Sequence, residues 1–166
     1  YTPNLSKFYE VFPQYAQMTR KSSGEYLDFP NITGADSSLN SNGLIVRKDL
    51  LDAAGLEIPT TIDEWDTALR AFKEQGVIPF SPRDNKWLNS NMPFISAWNM
   101  CYFEYNDNGT AKYGAVQPEF KEYLELMNKW YTDGLLDPDY LTSDTKVLTA
   151  KVSAGLVGSY VGAAGG

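Results

Sequence analysis

The sequence predicts an α/β fold in which short strands alternate with helices. Three observations carry that expectation. Residues 43–80, GLIVRKDLLDAAGLEIPTTIDEWDTALRAFKEQGVIPF, read in order as strand, short helix, turn, capped helix and strand. Strand–helix–strand alternation of this kind is the signature of α/β layering. A long amphipathic segment opens at Pro118, and the chain finishes its ordered pattern on an apolar run near Leu156–Val161. At 166 residues, the chain is long enough to enclose one core, so one domain over residues 1–166 is expected.

The elements follow in chain order. Leu5, Phe8, Tyr9, Phe12 and Tyr15 recur on one side of residues 1–19, so this stretch is partly helical, with Pro13 interrupting it. KSSGEY at 21–26 is a turn, and Tyr26–Phe29 fits a short strand. Residues 30–42 form a polar loop. Gly43–Val46 is a branched apolar strand. Lys48–Ala54 then places Leu50, Leu51 and Ala54 on one helical face, with Gly55 where a left-handed C-cap belongs. Pro59 disfavours helix at Ile58. Thr61 and Glu64 stand at capping-box spacing, in which each side chain satisfies the other residue's backbone N–H. Trp65, Ala68, Leu69 and Phe72 recur at helical spacing and form one buried stripe. Gly76 stops the helix, and Val77–Phe80 is the second strand.

Residues 81–91 form a second polar loop with Trp87 in its middle. Residues 92–103 read as a buried helix, with Pro93 near its start. Tyr102–Tyr105 and Ala111–Val116 pair as a hairpin around Asn108–Gly109, a strong turn dipeptide. Pro118 opens a helix at the one turn where proline is tolerated. Phe120, Tyr123, Leu124, Met127 and Tyr131 line its apolar face, and Gly134 ends it. Thr142 or Ser143 caps a last helix that runs to about Ala154 and returns into the strand at Leu156–Val161.

Composition removes several function classes. A net charge of −7, with scattered Lys and Arg, opposes phosphate and leaves nucleic acid out as a partner. With no His in the chain, Ser–His–Asp and Cys–His nucleophiles and His-ligated metals are excluded. Cys101 is alone and sits in the apolar run FISAWNMCYF, so a buried, inert thiol is expected. Glu104, Asn106 and Asn108 begin like a calcium loop, but the twelfth position is Ala115 and the bidentate carboxylate is missing. Asp137 with Asp139, and Asp63 with Glu64, are paired carboxylates in turn and cap contexts. Glycoside hydrolysis needs carboxyls facing each other across a sugar. No catalytic residue, metal site or cofactor is therefore assigned. Aromatics make up 14% of the chain, with 11 Tyr and 4 Trp, a composition suited to stacking on sugar rings.

The phrase IVRKDLLDAAGLEIPTTIDEW, residues 45–65, resembles the second-lobe signature of family 1 extracellular solute-binding proteins of sugar-type ABC importers. Residues 107–144 and AKVSAGLVGSYVG at 150–162 fit the same family in the same order. The resemblance implies a type II periplasmic-binding-protein fold, of which this chain is the second, C-terminal lobe, a helix-rich single lobe with a small mixed sheet flanked by helices, with the first lobe absent. It implies a mono- or oligosaccharide held in an interlobe cleft, delivery to an ABC permease, and an extracytoplasmic, lipid-anchored parent protein that is not an enzyme. In that family the loop at 30–42 borders the cleft, so Asp36 and Asn40 are candidate ligand contacts. Trp87 and Asn89 offer ring and amide chemistry from the second loop. Tyr160 lies on the return strand that brings an aromatic to the cleft, and GAAGG follows it where the family commonly has Trp. Trp98 completes the ligand-binding candidates, although its helical setting also suits core. The competing reading is a carbohydrate-binding module of a secreted glycoside hydrolase, and such modules are usually all-β.

Overall fold

A computed structural model describes residues 2–26, 29–30, 42–82, 94–100, 103–105 and 109–163. Its contacts fall into two compact units, residues 1–39 and 40–166. In the first, α1 (Pro3–Val11) and α2 (Pro13–Met18) each begin with proline in the first turn, where its missing N–H costs nothing. Pro13 thus restarts a helix as well as ending one. The turn at 21–26 is present, with Gly24 at φ 87° and an isolated bridge between Arg20 and Tyr26.

The second unit holds β1 (Asn42–Val46), α3 (Lys48–Ala54), α4 (Ile62–Glu74), β2 (Ile78–Ser81), β3 (Phe103–Tyr105), β4 (Ala111–Tyr113), α5 (Pro118–Thr132), α6 (Thr145–Ser153) and β5 (Val157–Ala163). The main sheet has the order β1–β5–β2. β5 is antiparallel to β1 and parallel to β2, so the sheet is mixed as expected. Tyr160 stands between Ile45 and Ser81 in the register.

Local chemistry explains the helices. Gly55 takes the left-handed conformation at φ 68°, and the Leu56 N–H reaches back to the Leu51 carbonyl at 2.9 Å. At the start of α4 the capping box is complete. Thr61 accepts from the Glu64 N–H at 3.3 Å, and the Glu64 carboxylate accepts from the Thr61 N–H at 3.0 Å. Trp65, Ala68, Leu69 and Phe72 are buried along one face of α4. Phe72 lies directly against β5, where a Cβ on Gly158 would come within 2.6 Å of its ring. Gly158→Ala is therefore expected to overpack the helix–sheet joint and to cost about 1–3 kcal/mol, measured by denaturant titration.

Four expectations are corrected. Among the described residues of the helix expected at 92–103, only Ile95–Trp98 is helical, as one 3₁₀ turn, between Phe94 at φ 69° and Asn99 at φ 50°. Left-handed residues on both sides cannot propagate an α-helix. Phe94 is held in that strained conformation by edge-to-face contacts with Trp65, Phe80 and Trp130, at ring centroid distances of 5.2, 5.4 and 5.1 Å. The hairpin forms, but its second strand ends at Tyr113, because Gly114–Val116 turns into a 3₁₀ segment. On α5 the buried residues are Tyr123 and Trp130, while Leu124 and Tyr131 are about half exposed. Asp144, rather than Thr142 or Ser143, caps α6, accepting from the Val147 N–H at 2.9 Å. Cys101 and, of the strand expected at Tyr26–Phe29, residues 27–28 lie outside the described residues.

Candidate functional site

Register sets which end of the sheet carries chemistry. The carboxyl ends of parallel β2 and β5 lie beside the amino end of β1, since Ser81 pairs with Tyr160, and Asn42 with Ala163. In open α/β sheets, ligands bind outside the carboxyl ends of the strands. β1 begins at Asn42 and β2 finishes at Ser81 at this same end.

Tyr160, on the central strand and level with the last residue of β2, is half-buried. Along β5, Val157, Ser159 and Val161 alternate with Gly158, Tyr160 and Gly162. A Cβ on Gly162 would come within 2.9 Å of the Tyr160 ring and 2.7 Å of the Ile45 side chain. Glycine at 162 thus lets the ring lie along the strand toward its end. Trp98, at the close of the 3₁₀ turn, donates from its indole N–H to Glu122 at 3.1 Å and packs edge-on against Tyr123 at 5.7 Å. Its polar handle is occupied by α5. Asp36, Asn40, Trp87 and Asn89 lie outside the described residues, so Tyr160 and Trp98 are the two candidates with described surroundings.

Sequence reasoning missed a polar cluster anchored on Ser81 at the same end of β2. Asp137 is fully buried in the segment after α5. One carboxylate oxygen accepts from the Ser81 hydroxyl at 2.7 Å and from Lys151 at 2.8 Å. The other accepts from Lys151 at 2.9 Å and from the Asp139 N–H at 3.1 Å. Lys151, on α6, also reaches Asp139 at 3.2 Å. Burial pushes the Asp137 carboxyl up, but hydrogen bonds from Lys151 and Ser81 outweigh it and hold the group below the usual carboxylate range. Burial likewise lowers Lys151, and its bonds to Asp137 and Asp139 raise it overall. Ser159, also buried, donates to the Pro79 carbonyl at 2.7 Å. These bonds tie β2, the 135–140 segment, α6 and β5 together. Every Asp137 contact is thereby accounted for within the protein, which fits a fixed brace better than a reacting group. The sequence signal was available: a carboxylate in the apolar run GLLDP, fourteen residues before a lysine one turn past Leu148.

The remaining features hold less chemistry. A surface cavity of about 440 Å³ is lined by Leu56, Glu57, Ile58, Thr60, Glu64 and Thr67. Within it, one Glu64 oxygen accepts from the Thr60 and Thr61 N–H groups and the Thr60 hydroxyl. Burial raises the Tyr123 phenol to about 12, and its hydroxyl has no hydrogen-bond partner among the described residues. Among the described residues, no group of three or more Asp, Glu or Cys side chains is placed to hold a metal, and no helix is long and apolar enough to cross a membrane.

A family model described as bacterial extracellular solute-binding protein matches residues 15–166. The fructooligosaccharide ABC transporter substrate-binding protein FusA of Streptococcus pneumoniae is 27% identical over 169 residues, covering 91% of this chain and 31% of its own length. The polygalacturonan/rhamnogalacturonan-binding protein YtcQ of Bacillus subtilis is 27% identical over 175 residues, covering 96% of this chain and 32% of its own. Among solved structures, an HMO-binding, ABC-transporter-associated solute-binding protein from Bifidobacterium longum infantis superposes with a TM-score of 0.74 at 25% identity. It covers 97% of this chain and 37% of its own. The chain thus spans about a third of the length of the curated relatives it matches.

Proposed function

The chain belongs to the bacterial extracellular solute-binding proteins, and on that premise we propose that it supplies the second of two lobes in the binding component of an ABC importer for oligosaccharides. The observation that carries this reading is the agreement of FusA and YtcQ, which match nearly the whole chain and whose names both specify carbohydrate binding. The solute binds between the lobes, closure sequesters it, and the closed form docks on the permease. The protein binds its solute and does not transform it. It acts outside the cytoplasm, and a lipid anchor on the full-length protein holds it at the outer face of the membrane.

The cleft-facing edge in this reading is the carboxyl end of β2 and β5. Tyr160 stacks on a sugar ring there. Asp36 and Asn40 from one loop, and Trp87 and Asn89 from the other, supply hydrogen bonds and a second ring. Trp98 contributes through its ring, since its N–H already serves Glu122. The glycoside-hydrolase module has less support, because such modules are usually all-β whereas a mixed sheet is accompanied by helices here.

A thermal-shift panel on the full-length protein tests the proposal. Fructooligosaccharides, galacturonan fragments and milk oligosaccharides are compared with peptides and amino acids. A rise in melting temperature with at least one oligosaccharide is expected, because a ligand that binds only the folded state stabilises it. A rise with peptides alone would sink the carbohydrate assignment.

A further inference from the structure

The joint between β2 and β5 beside Tyr160 is only partly made by backbone. β2 has β5 on one side and, on the other, the parallel bridge from Phe80 to Leu136. It contains Pro79, and proline inside a sheet removes a ladder donor. The Ile78 N–H donates to the Leu156 carbonyl at 2.8 Å, but the Phe80 N–H turns the other way and donates to the Leu135 carbonyl at 3.1 Å. Neither Pro79 nor Phe80 therefore gives β5 a backbone donor, and these residues lead up to Ser81, the register partner of Tyr160. Two buried hydroxyls stand at this point. Ser159, next to Tyr160 on β5, donates to the Pro79 carbonyl at 2.7 Å. Ser81 donates to Asp137 at 2.7 Å. Asp137 in turn holds Lys151, on the helix α6 that leads into β5. Burying a bonded hydroxyl gains little net stability over an apolar side chain, but its bond has a direction. Side chains thus fasten both strands where the ladder lacks donors.

We propose that Ser159 and Ser81 are positioning residues for Tyr160, holding the β2–β5 joint so that the ring keeps one orientation at the carboxyl ends of the strands. The proposal rests on the reading that this ring meets a sugar, and it deepens that reading. Neither serine touches the sugar, and each acts through its strand. A ring already held in place loses less freedom when a sugar stacks on it, so the two hydroxyl bonds strengthen binding without adding a contact.

Fluorine NMR of the full-length protein tests this. Para-fluorophenylalanine replaces Tyr160 in one sample and Tyr123, buried on α5, in a control sample. Ser159→Ala and Ser81→Ala are each expected to displace or broaden the resonance from position 160 and to leave that from position 123 unmoved. In Ser81→Ala, Asp137 keeps its bonds to Lys151 and to the Asp139 N–H, so the lobe stays folded. An unchanged resonance from position 160 in either variant, or an equal displacement at position 123, overturns the proposal. Calorimetry with the oligosaccharide that the thermal-shift panel selects gives the second readout. Ser159→Ala is expected to weaken binding about 2–5-fold in the wild type and to add nothing in Tyr160→Ala. An equal loss in both backgrounds also overturns the proposal. The resonances are read without sugar, so if no oligosaccharide binds, the carbohydrate reading fails while this one is still decided.

Discussion

Asp137→Ala is expected to cost about 3–5 kcal/mol of folding stability, the usual penalty for breaking a buried ion pair from one side. The carboxylate is fully buried and accepts from Ser81, from the Asp139 N–H and twice from Lys151. Its removal leaves a mostly buried ammonium with the exposed Asp139 as its remaining carboxylate. The pH dependence gives the interaction its signature. The folded Asp137 carboxyl is held below its ordinary value. Its contribution is therefore present above the unfolded value of about 3.9 and is lost as pH falls through the lower folded value. Lys151 is raised, so its contribution is full below about 10.4 and is lost as pH rises through the higher folded value. Denaturant titrations of the wild type and Asp137→Ala should differ by a constant amount between those limits, and the difference should narrow in strong acid. A variant as stable as the wild type at neutral pH would show that the cluster is not a brace.

The second large effect is expected at Trp130. Its ring is fully buried and meets Phe94 edge-on, and its indole N–H donates to Asp66 at 2.7 Å. Asp66 lies at the joint of α4 and α5. It is bonded by Arg70 at 2.7 Å and Lys129 at 3.1 Å, and Arg70 continues to Asp133 at 2.6 Å. The Arg70 guanidinium foremost, with help from Lys129 and Trp130 and against burial, holds the Asp66 carboxyl down at about 2. Trp130→Ala removes both the packing and the donor and should cost about 3–5 kcal/mol. Trp130→Phe keeps most of the ring volume and should cost about 1.5–3 kcal/mol, the range for a hydrogen bond to a charged group. Equal losses in the two variants would show that packing and the Asp66 bond had been wrongly apportioned.

These two sites also mark where sequence reading stops. The stretch from 43 to 80 was legible because its signals are local and agree. The Gly55 cap, the Thr61–Glu64 box and the stripe from Trp65 to Phe72 each depend on spacing within a turn or two of helix. Trp130 was missed because the expected stripe on α5 is rotated by less than one residue step from the real one, passing over Trp130 to Tyr131. Only the position of α4 and Phe94 decides which face is inside. The Asp137 cluster joins residues 56 and 14 positions apart, and no local periodicity reports such a pair. The helix expected at 92–103 failed for a conformational reason: an apolar run does not reveal that Phe94 and Asn99 both take positive φ. At the candidate site, the lie of the Tyr160 ring beside Gly162 depends on strand register, which no local pattern reports.

The proposed contact between Tyr160 and a sugar is decided by calorimetric titration of the full-length protein with the oligosaccharide selected by thermal shift. Saturable one-to-one binding is predicted, weakened about 3–10-fold by Tyr160→Ala, as loss of one ring-stacking contact requires. Identical affinity in the wild type and Tyr160→Ala would contradict the placement of the sugar at the carboxyl ends of β2 and β5.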